Sequence, residues 1–302
     1  MSNIVKPKPN FFIVGAAKSG TTSLWMYLKQ HPDIFMPPTM ATKEPSYFCK
    51  LYGFRDYDRY LNLFKKAQGI SAIGEASTPY LSSPESASWI KTEYPFSKII
   101  IILRNPVKRA YSLYNWMISE GYEWVFPFEK ALEIEESRLK DKRFEYNNPQ
   151  YFYNYLYFYS GLYSEQIKRY LDVFPKEQIR IYLLEDLKQD PIGLTKEIYK
   201  FLKVDPSFTP DDISIFNSGK TPISVPLQFF AKQKLPKYLN RIRFPKPKKI
   251  QNLILKANCL GNNNKARQLK AETKVHLQTC YKEDIDRTAN LINRDLEEWY
   301  WR

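Results

Sequence analysis

The sequence has few residues of the kinds that build metal sites and disulfide frameworks. Its 302 residues include three cysteines and two histidines. Cys49, Cys259 and Cys280 lie far apart along the chain, and His31 and His276 add no recognised metal-ligand spacing to them. We therefore expect no metal site and no disulfide framework. We also expect the protein in a reducing compartment, the cytoplasm.

Long apolar runs are absent, and acidic residues are outnumbered by basic ones. No apolar run approaches the ~18 residues of a membrane-spanning helix, and the N-terminal segment MSNIVKPKPN contains no apolar leader. A soluble protein is therefore expected. The chain has 46 Lys and Arg against 32 Asp and Glu, a formal net charge of +14. This excess favours anionic partners such as nucleotides, acidic glycans, nucleic acid or membrane surfaces, although solubility alone would also explain it.

The stretch FFIVGAAKSGTTSLWMYL, from Phe11 to Leu28, predicts a buried strand, a glycine-bearing turn and a helix. This order holds a phosphate, because backbone N–H groups and the positive end of the helix dipole face the turn. A nucleoside-triphosphate P-loop places its lysine directly after the second glycine. Here Thr21 follows Gly20, and the lysine stands earlier, at Lys18. The loop therefore predicts a phosphate cradle for a ligand other than ATP.

Apolar strands alternate with helices along the chain, and this alternation predicts an α/β fold with a parallel sheet. The clearest strand is KIIIIL, Lys98 to Leu103, whose unbroken β-branched run is typical of a strand covered on both faces. Further strands are predicted at 11–14, 34–36, 70–74 and 179–184, and helices at 21–28, 55–67 and 190–203.

Ligands of open α/β sheets bind beyond the carboxyl ends of the strands. An ATPase places a metal-binding carboxylate after an apolar strand, but here Arg104 follows the most apolar strand. Ser112 stands eight residues later, on the helix that Asn105 and Pro106 start. Arg104 and Ser112 could together clamp one phosphate. A surface ion pair for Arg104 and plain helix packing for Ser112 are the open alternatives.

With these residues in hand, the chain resembles the PAPS-dependent sulfotransferase family, in particular its carbohydrate, heparan-sulfate-type branch. Lys18 to Ser23 is similar to the family's 5′-phosphosulfate loop, and Arg104 to Ser112 to its 3′-phosphate motif. Residues 161–163 and 295–299 are similar to its middle block and closing helix. The resemblance implies a P-loop-like three-layer α/β/α fold with a central parallel sheet, in a single sulfotransferase domain over residues 1–302.

The resemblance implies a metal-independent site for 3′-phosphoadenosine 5′-phosphosulfate (PAPS), whose product is adenosine 3′,5′-bisphosphate (PAP). Lys18 would stabilise charge on the leaving 5′-phosphate. Arg104 and Ser112 would hold the 3′-phosphate. The other residues that the resemblance implies as donor contacts are Ser19, Gly20, Thr21, Thr22, Ser23, Tyr163, Gly219 and Lys220.

The resemblance also implies a general base for the acceptor hydroxyl. In the carbohydrate branch a glutamate lies in a short Lys-Glu segment followed by aromatic residues, which KEPSYF at 43–48 matches. Glu44 is therefore the expected base, and a loop ion pair with Lys43 is the alternative. Glu75-Ala76 departs from the family pattern, because several members have a lysine where Ala76 stands.

The acceptor is expected to be a hydroxyl on a glycan or glycolipid, with a small alcohol left open. The basic, proline-broken segment 222–265 is expected to form a flap or insertion over the acceptor site, or to contact an anionic glycan or a membrane surface. A solvated loop explains this segment equally well. The aromatic residues of 146–163 favour a helix packed on the sheet over sugar stacking.

Two rival functions share some of these features. A P-loop nucleotide kinase or NTPase would need a lysine at position 21 and a metal-binding carboxylate. A basic polyanion-binding module would use the charge alone. No nucleic-acid-binding motif appears in the sequence, so no nucleic-acid partner is expected.

Overall fold

The structure, a computed structural model, describes residues 6–214, 222–241, 247–259 and 268–301. A parallel five-stranded sheet with strand order β2-β3-β1-β4-β5 organises the first part of the fold. The strands are β1 (Phe11–Gly15), β2 (Ile34–Phe35), β3 (Ala72–Glu75), β4 (Lys98–Leu103) and β5 (Ile179–Leu183). The predicted α/β class and parallel sheet are confirmed.

The two central strands of this sheet are apolar because both of their faces are covered. Every residue of β1 is buried, and so is every residue of β4 after Lys98. Burial of each such Ile, Val or Leu side chain contributes ~1.5–3 kcal/mol. Gly74 in β3 allows a close approach, since a Cβ there would lie 2.3 Å from the ring of Phe11.

The described residues divide by their contacts into two compact units that alternate along the chain. The first unit comprises residues 1–105, 163–216 and 284–296, and the second comprises 106–162, 217–283 and 297–302. The expectation of one sulfotransferase domain over residues 1–302 stays a prediction. Among the described residues, we find no helix with the length and apolar character needed to cross a membrane.

The first unit contains the sheet and its helices. These helices are α1 (Thr21–Leu28), α2 (Met40–Lys43), α3 (Tyr57–Asn62), α4 (Pro79–Ser82), α5 (Ser86–Glu93), α10 (Tyr163–Val173), α11 (Leu184–Gln189) and α12 (Pro191–Leu202). Helix α3 is shorter than the predicted 55–67, and β3 starts two residues later than predicted. The other predicted elements agree to within about two residues.

The second unit is mainly helical. Its helices are α6 (Pro106–Ser119), α7 (Phe128–Glu133), α8 (Glu135–Lys140), α9 (Lys142–Tyr146), α13 (Val225–Phe229), α14 (Leu235–Arg241), α15 (Pro247–Ala257) and α17 (Glu298–Trp301). A π-helical segment, Phe230–Lys234, joins α13 to α14. Helix α16 (Ala271–Ile292) contributes its residues 271–283 to this unit and 284–292 to the first.

The prediction of a helix packed on the sheet at 146–163 is wrong. The segment forms two short 3₁₀ turns, Phe152–Tyr155 and Tyr159–Gly161, and apart from its last residue it belongs to the second unit. Its aromatic side chains are nevertheless core residues, since Tyr151 and Tyr157 are fully buried. Buried phenols need hydrogen-bond partners, and the Tyr157 hydroxyl donates to Glu123 at 2.8 Å. Irregular backbone brings these rings to such partners.

Candidate functional site

The loop after β1 has the geometry of an anion cradle. Gly20 is the N-cap of α1 with φ 93°, and as a glycine it has no side chain with which to cap this helix end. The loop also packs tightly against α11, because a Cβ on Gly20 would lie 2.8 Å from Leu184 Cδ1. The first backbone N–H groups of a helix have no partner within the helix and attract negative charge. This end of α1 can therefore bind a phosphate or phosphosulfate group.

A buried hydroxyl in the same loop has no hydrogen-bond partner. Ser19 is fully buried, and its Oγ is paired with no other atom of the described residues. An unmade hydrogen bond at a buried polar group costs ~1–3 kcal/mol. Such an atom next to a helix N-terminus fits a site that an anionic ligand completes, so the loop residues suit the phosphosulfate end of PAPS.

Arg104 lies beside this loop because β4, which it follows, is the neighbour of β1 in the sheet. Its guanidinium Nη1 donates to the backbone carbonyl of Lys18 at 3.0 Å. The Arg104 guanidinium therefore lies against the backbone of the loop that carries Lys18. Lys18 itself has a left-handed backbone, with φ 66°.

Tyr163 is buried and supports the backbone at Arg104. Its hydroxyl donates to the Arg104 carbonyl at 2.8 Å, and its own N–H donates to Asp284 Oδ2 at 2.7 Å. These bonds give Tyr163 a clear structural part in holding Arg104. Direct contact of Tyr163 with a nucleotide stays a prediction.

The remaining predicted donor residues fall into three groups. Thr21 and Ser23 are buried in the first turn of α1, and Thr22 is half-buried there. Ser112 is half-buried on α6, in the second unit. Gly219 and Lys220 lie outside the described residues. Contact of these six residues with the donor stays a prediction.

Glu44, the expected base, follows α2 and is held at both carboxylate oxygens. Lys43 Nζ lies 2.7 Å from Oε1, and the Thr78 hydroxyl donates to Oε2 at 2.9 Å. The Lys43 side chain is 1% exposed, whereas that of Glu44 is 35% exposed. The ion pair with Lys43 therefore exists, and the carboxylate remains accessible to an acceptor. Because Thr78 follows β3, Glu44 is held at the carboxyl end of that strand.

A second carboxylate, which the sequence places at a strand end without indicating its role, lies beneath this loop. Glu75 is fully buried and accepts hydrogen bonds from the Tyr60 and Tyr80 hydroxyls, each 2.8 Å, at Oε1. The Ser77 hydroxyl donates to its Oε2 at 2.9 Å. Burial raises the pKa of Glu75 to about 7, although the three hydrogen bonds lower it. The sequence signal for this carboxylate is a glutamate at the end of an apolar strand, followed by hydroxyl-bearing residues.

The last strand end carries structural charges. Asp186, after β5, accepts from the backbone N–H of Leu183 at 2.9 Å and pairs with Arg294 at 2.8 Å. Among the described residues, no group of three or more His, Cys, Asp or Glu side chains is arranged to hold a metal ion. The anion-binding features therefore lie at the ends of β1 and β4, with Glu44 held at the end of β3.

Comparison with known proteins places these features in a family. The family model of the sulfotransferase domain matches residues 8–268. The crystal structure of a sulfotransferase from Alicyclobacillus acidocaldarius is 32% identical with a TM-score of 0.73, over 97% of this chain and 99% of that one. These matches confirm the recognised family, the enzyme class and the P-loop-like α/β fold.

Curated relatives share only a part of their length with this chain. The human bifunctional heparan sulfate N-deacetylase/N-sulfotransferase 3 is 29% identical over 223 residues, covering 70% of this chain and 24% of that protein. A membrane-associated sulfotransferase of Dictyostelium discoideum, kil1, is 27% identical over 267 residues, covering 65% of this chain and 56% of that protein. The chain thus spans a quarter of the one and just over half of the other.

Proposed function

We propose, from the premise that the chain belongs to the sulfotransferase domain family, that it transfers the sulfuryl group of PAPS to a hydroxyl of a glycan or glycolipid. The observation that carries this proposal is the contact between Arg104 and the Lys18 carbonyl at 3.0 Å, beside a helix N-terminus whose N-cap is a glycine. PAPS has phosphate on both sides of its ribose, and a guanidinium directly beside the loop that carries Lys18 suits it.

The residues of the cradle would act by electrostatics. PAPS supplies a sulfuryl group whose transfer leaves negative charge on the 5′-phosphate. The Lys18 ammonium and the N–H groups at the start of α1 would stabilise that charge. These groups belong to the folded protein, so they are in place before the charge develops. Arg104 would hold the 3′-phosphate. Ser19, Gly20, Thr21, Thr22, Ser23 and Tyr163 are the other proposed donor residues of the first unit, and Ser112, Gly219 and Lys220 stay predictions from the sequence.

Glu44 would remove the acceptor proton. A bond forms between the acceptor oxygen and sulfur while the bond from sulfur to the 5′-phosphate oxygen breaks, and the proton passes to the Glu44 carboxylate. The bonds from Lys43 and Thr78 fix the orientation of this carboxylate and leave it partly exposed. Proximity and orientation of this kind contribute much of the rate of such a transfer.

A carbohydrate acceptor is supported by the relatives. The human protein of 29% identity acts, by its name, on heparan sulfate. A kinase or NTPase is disfavoured because Thr21 occupies the position of the P-loop lysine.

The test is transfer of labelled sulfate from PAPS to a panel of glycans, glycolipids and small alcohols, with the product identified by mass spectrometry. We expect Glu44→Gln and Lys18→Ala to lower kcat by roughly 100-fold or more. Lys29→Ala is the matched control, since Lys29 lies at the other end of α1 over the ring of Trp25. Wild-type turnover in Glu44→Gln would remove Glu44 as the base, and no transfer to any acceptor would contradict the function.

We also propose that the basic segment of the second unit contacts an anionic membrane from the cytoplasmic side. Residues 217–271 include thirteen Lys and Arg and no Asp or Glu. In the helices α13 to α15 and just before them, large exposed apolar side chains stand among these charges. Phe230 is 47% and Tyr238 60% exposed, and the other large exposed apolar residues in the described part of this segment are Ile223, Leu227 and Leu253.

A lipid surface explains this combination better than a free glycan does. Exposed lysines and arginines in this segment, Lys234, Lys237, Arg241, Lys248, Lys249 and Lys256, would each gain ~1 kcal/mol near anionic lipids. The apolar side chains would gain only from an acyl boundary. The helices are held together by bonds from Gln251 Nε2 to the Ala231 carbonyl, 3.1 Å, and from Asn258 Nδ2 to the Ser224 carbonyl, 2.9 Å.

Vesicle co-sedimentation tests the membrane contact. We expect binding to vesicles with phosphatidylserine, weak binding to phosphatidylcholine alone, and at least a tenfold loss in Phe230→Ser and in Lys234→Glu. Phe96→Ser is the matched control, because Phe96 is 90% exposed in the first unit. Binding to heparin with no binding to vesicles would contradict the proposal. A wild-type dimer that dissociates in Phe230→Ser would also contradict it, because the exposed apolar residues would then form a contact between two copies of the chain. Fractionation of cells with and without salt tests the cytoplasmic location.

A further inference from the structure

The buried carboxylate of Glu75 is linked to the loop that carries Glu44. Each of its three hydrogen-bond donors also contacts one of the three residues at 46–48. The Ser77 Oγ accepts from the Ser46 backbone N–H at 3.0 Å. The ring of Tyr60 stacks on Tyr47 with centroids 4.6 Å apart. These contacts join the end of β3 to the segment directly after the proposed base.

The third donor completes the set. The Tyr80 hydroxyl, which donates to Glu75 at 2.8 Å, accepts from the Phe48 backbone N–H at 3.4 Å. Ser46 has a left-handed backbone with φ 52°, a conformation that is uncommon for a non-glycine residue and needs support from its surroundings. One carboxylate therefore accepts hydrogen bonds from three side chains, each of which contacts residues 46–48.

The segment directly after Glu75 also contacts Glu44 and its neighbour Lys43. Thr78, one residue beyond Ser77, donates to Glu44 Oε2 at 2.9 Å. Lys43 Nζ, which pairs with Glu44, lies 3.4 Å from the Ala76 carbonyl. The segment 75–78 thus approaches Glu44 and the residues on both sides of it.

We propose that Glu75 is a positioning residue for the transfer reaction: its carboxylate aligns Ser77, Tyr60 and Tyr80, which fix the backbone that presents Glu44. This inference rests on the proposed function, in which Glu44 is the base. Glu75 does not meet the substrate, because it is fully buried. A carboxyl group suits this role because both of its oxygens accept hydrogen bonds here, whereas the amide of glutamine would turn a donor toward one of the hydroxyls.

The experiment compares steady-state kinetics and PAP affinity in Glu75→Gln with those in Glu135→Gln. Glu135 is the matched control: it is buried in the second unit, accepts from the Phe158 backbone N–H at 2.8 Å, and burial raises its pKa to about 7 as well. We expect Glu75→Gln to lower kcat roughly 10- to 100-fold, as a small misplacement of a reacting group does. Its PAP affinity and its KM for PAPS stay within about twofold of wild type.

Two further variants keep the test informative if Glu75→Gln does not fold. Ser77→Ala removes one of the links, and Ser77→Thr restores the hydroxyl. We expect a loss of kcat in the first and recovery in the second. The double variant Glu75→Gln/Ser77→Ala should lose less than the product of the two single losses, because both act through one network.

The outcomes separate this inference from the proposed function. If Glu44→Gln loses turnover but Glu75→Gln behaves like Glu135→Gln, the positioning role is wrong and the function stands. An equal loss of kcat and PAP affinity in Glu75→Gln would also overturn it, since the residue would then support the whole unit. If Glu44→Gln turns over normally, the proposed base is wrong, and the inference falls with it.

Discussion

Replacing Gly20 with alanine tests whether the cradle depends on its tight turn. The backbone at Gly20 has φ 93° and ψ 7°, a left-handed conformation that costs an alanine about 1 kcal/mol. A Cβ would also lie 2.8 Å from Leu184 Cδ1 and 3.1 Å from Leu187 Cδ2. Overpacking of this kind costs ~1–3 kcal/mol. We therefore expect Gly20→Ala to lower the free energy of unfolding by ~2–4 kcal/mol.

Gly69 provides the matched control for this substitution. It has φ 79°, and a Cβ there meets no atom within 4 Å, so Gly69→Ala bears only the backbone cost of about 1 kcal/mol. Urea denaturation of both variants measures the difference, and calorimetry with PAP measures binding. We expect Gly20→Ala to be the less stable variant and to bind PAP at least tenfold more weakly. Equal stability and equal PAP affinity in the two variants would refute the account of the cradle.

Three further predictions concern stability, charge and close packing. Burial raises the pKa of Glu75 to about 7, so the contribution of this residue to stability is present below pH ~4.5 and lost as the pH rises through ~7. The urea midpoint of the wild-type protein should therefore fall over this pH range, and that of Glu75→Gln should fall less steeply. Equal slopes in the two proteins would contradict this prediction. Arg138→Ala leaves the buried Glu123 without its ion-pair partner at 2.8 Å and should lower the free energy of unfolding by ~3–5 kcal/mol in denaturation experiments. The control Arg143→Ala, at an exposed position, should not show this loss. Gly74→Ala should destabilise by ~1–3 kcal/mol, because its Cβ would meet the Phe11 ring at 2.3 Å; an unchanged unfolding midpoint would contradict the packing of β1 on β3.

The central sheet was predictable because its signal is local. After Lys98, strand β4 is an unbroken apolar run of four isoleucines and a leucine, which is typical of a parallel strand covered on both faces. The contact between Arg104 and Lys18 follows from the same pattern, since the carboxyl ends of neighbouring parallel strands share one edge of a sheet.

The support beneath Glu44 could not be predicted because it depends on contacts between distant residues. Glu75 appeared only as part of a block in which the family's lysine is replaced by Ala76. Its bond to Tyr60 joins residues fifteen apart, and the bond from Ser46 to Ser77 joins residues thirty-one apart. No periodic pattern records such pairs. Only the fold shows that a buried carboxylate orders them.

The aromatic segment at 146–163 illustrates a different limit. Its apolar spacing was compatible with a helix, and periodicity does not separate a helix from irregular buried backbone over so short a stretch. Tyr157 takes its partner Glu123 from thirty-four residues away. The requirement to satisfy buried hydroxyls therefore decided the local backbone, and burial was predicted correctly while the secondary structure was not.

Calorimetry with PAP and with adenosine 5′-monophosphate tests the central claim, that two separate cationic positions at the ends of β1 and β4 bind the two phosphates of the donor. The account predicts that the wild-type protein prefers PAP by a large factor, that Arg104→Ala removes this preference, and that Lys18→Ala weakens both ligands while keeping it. A preference for PAP that survives in Arg104→Ala would contradict the account.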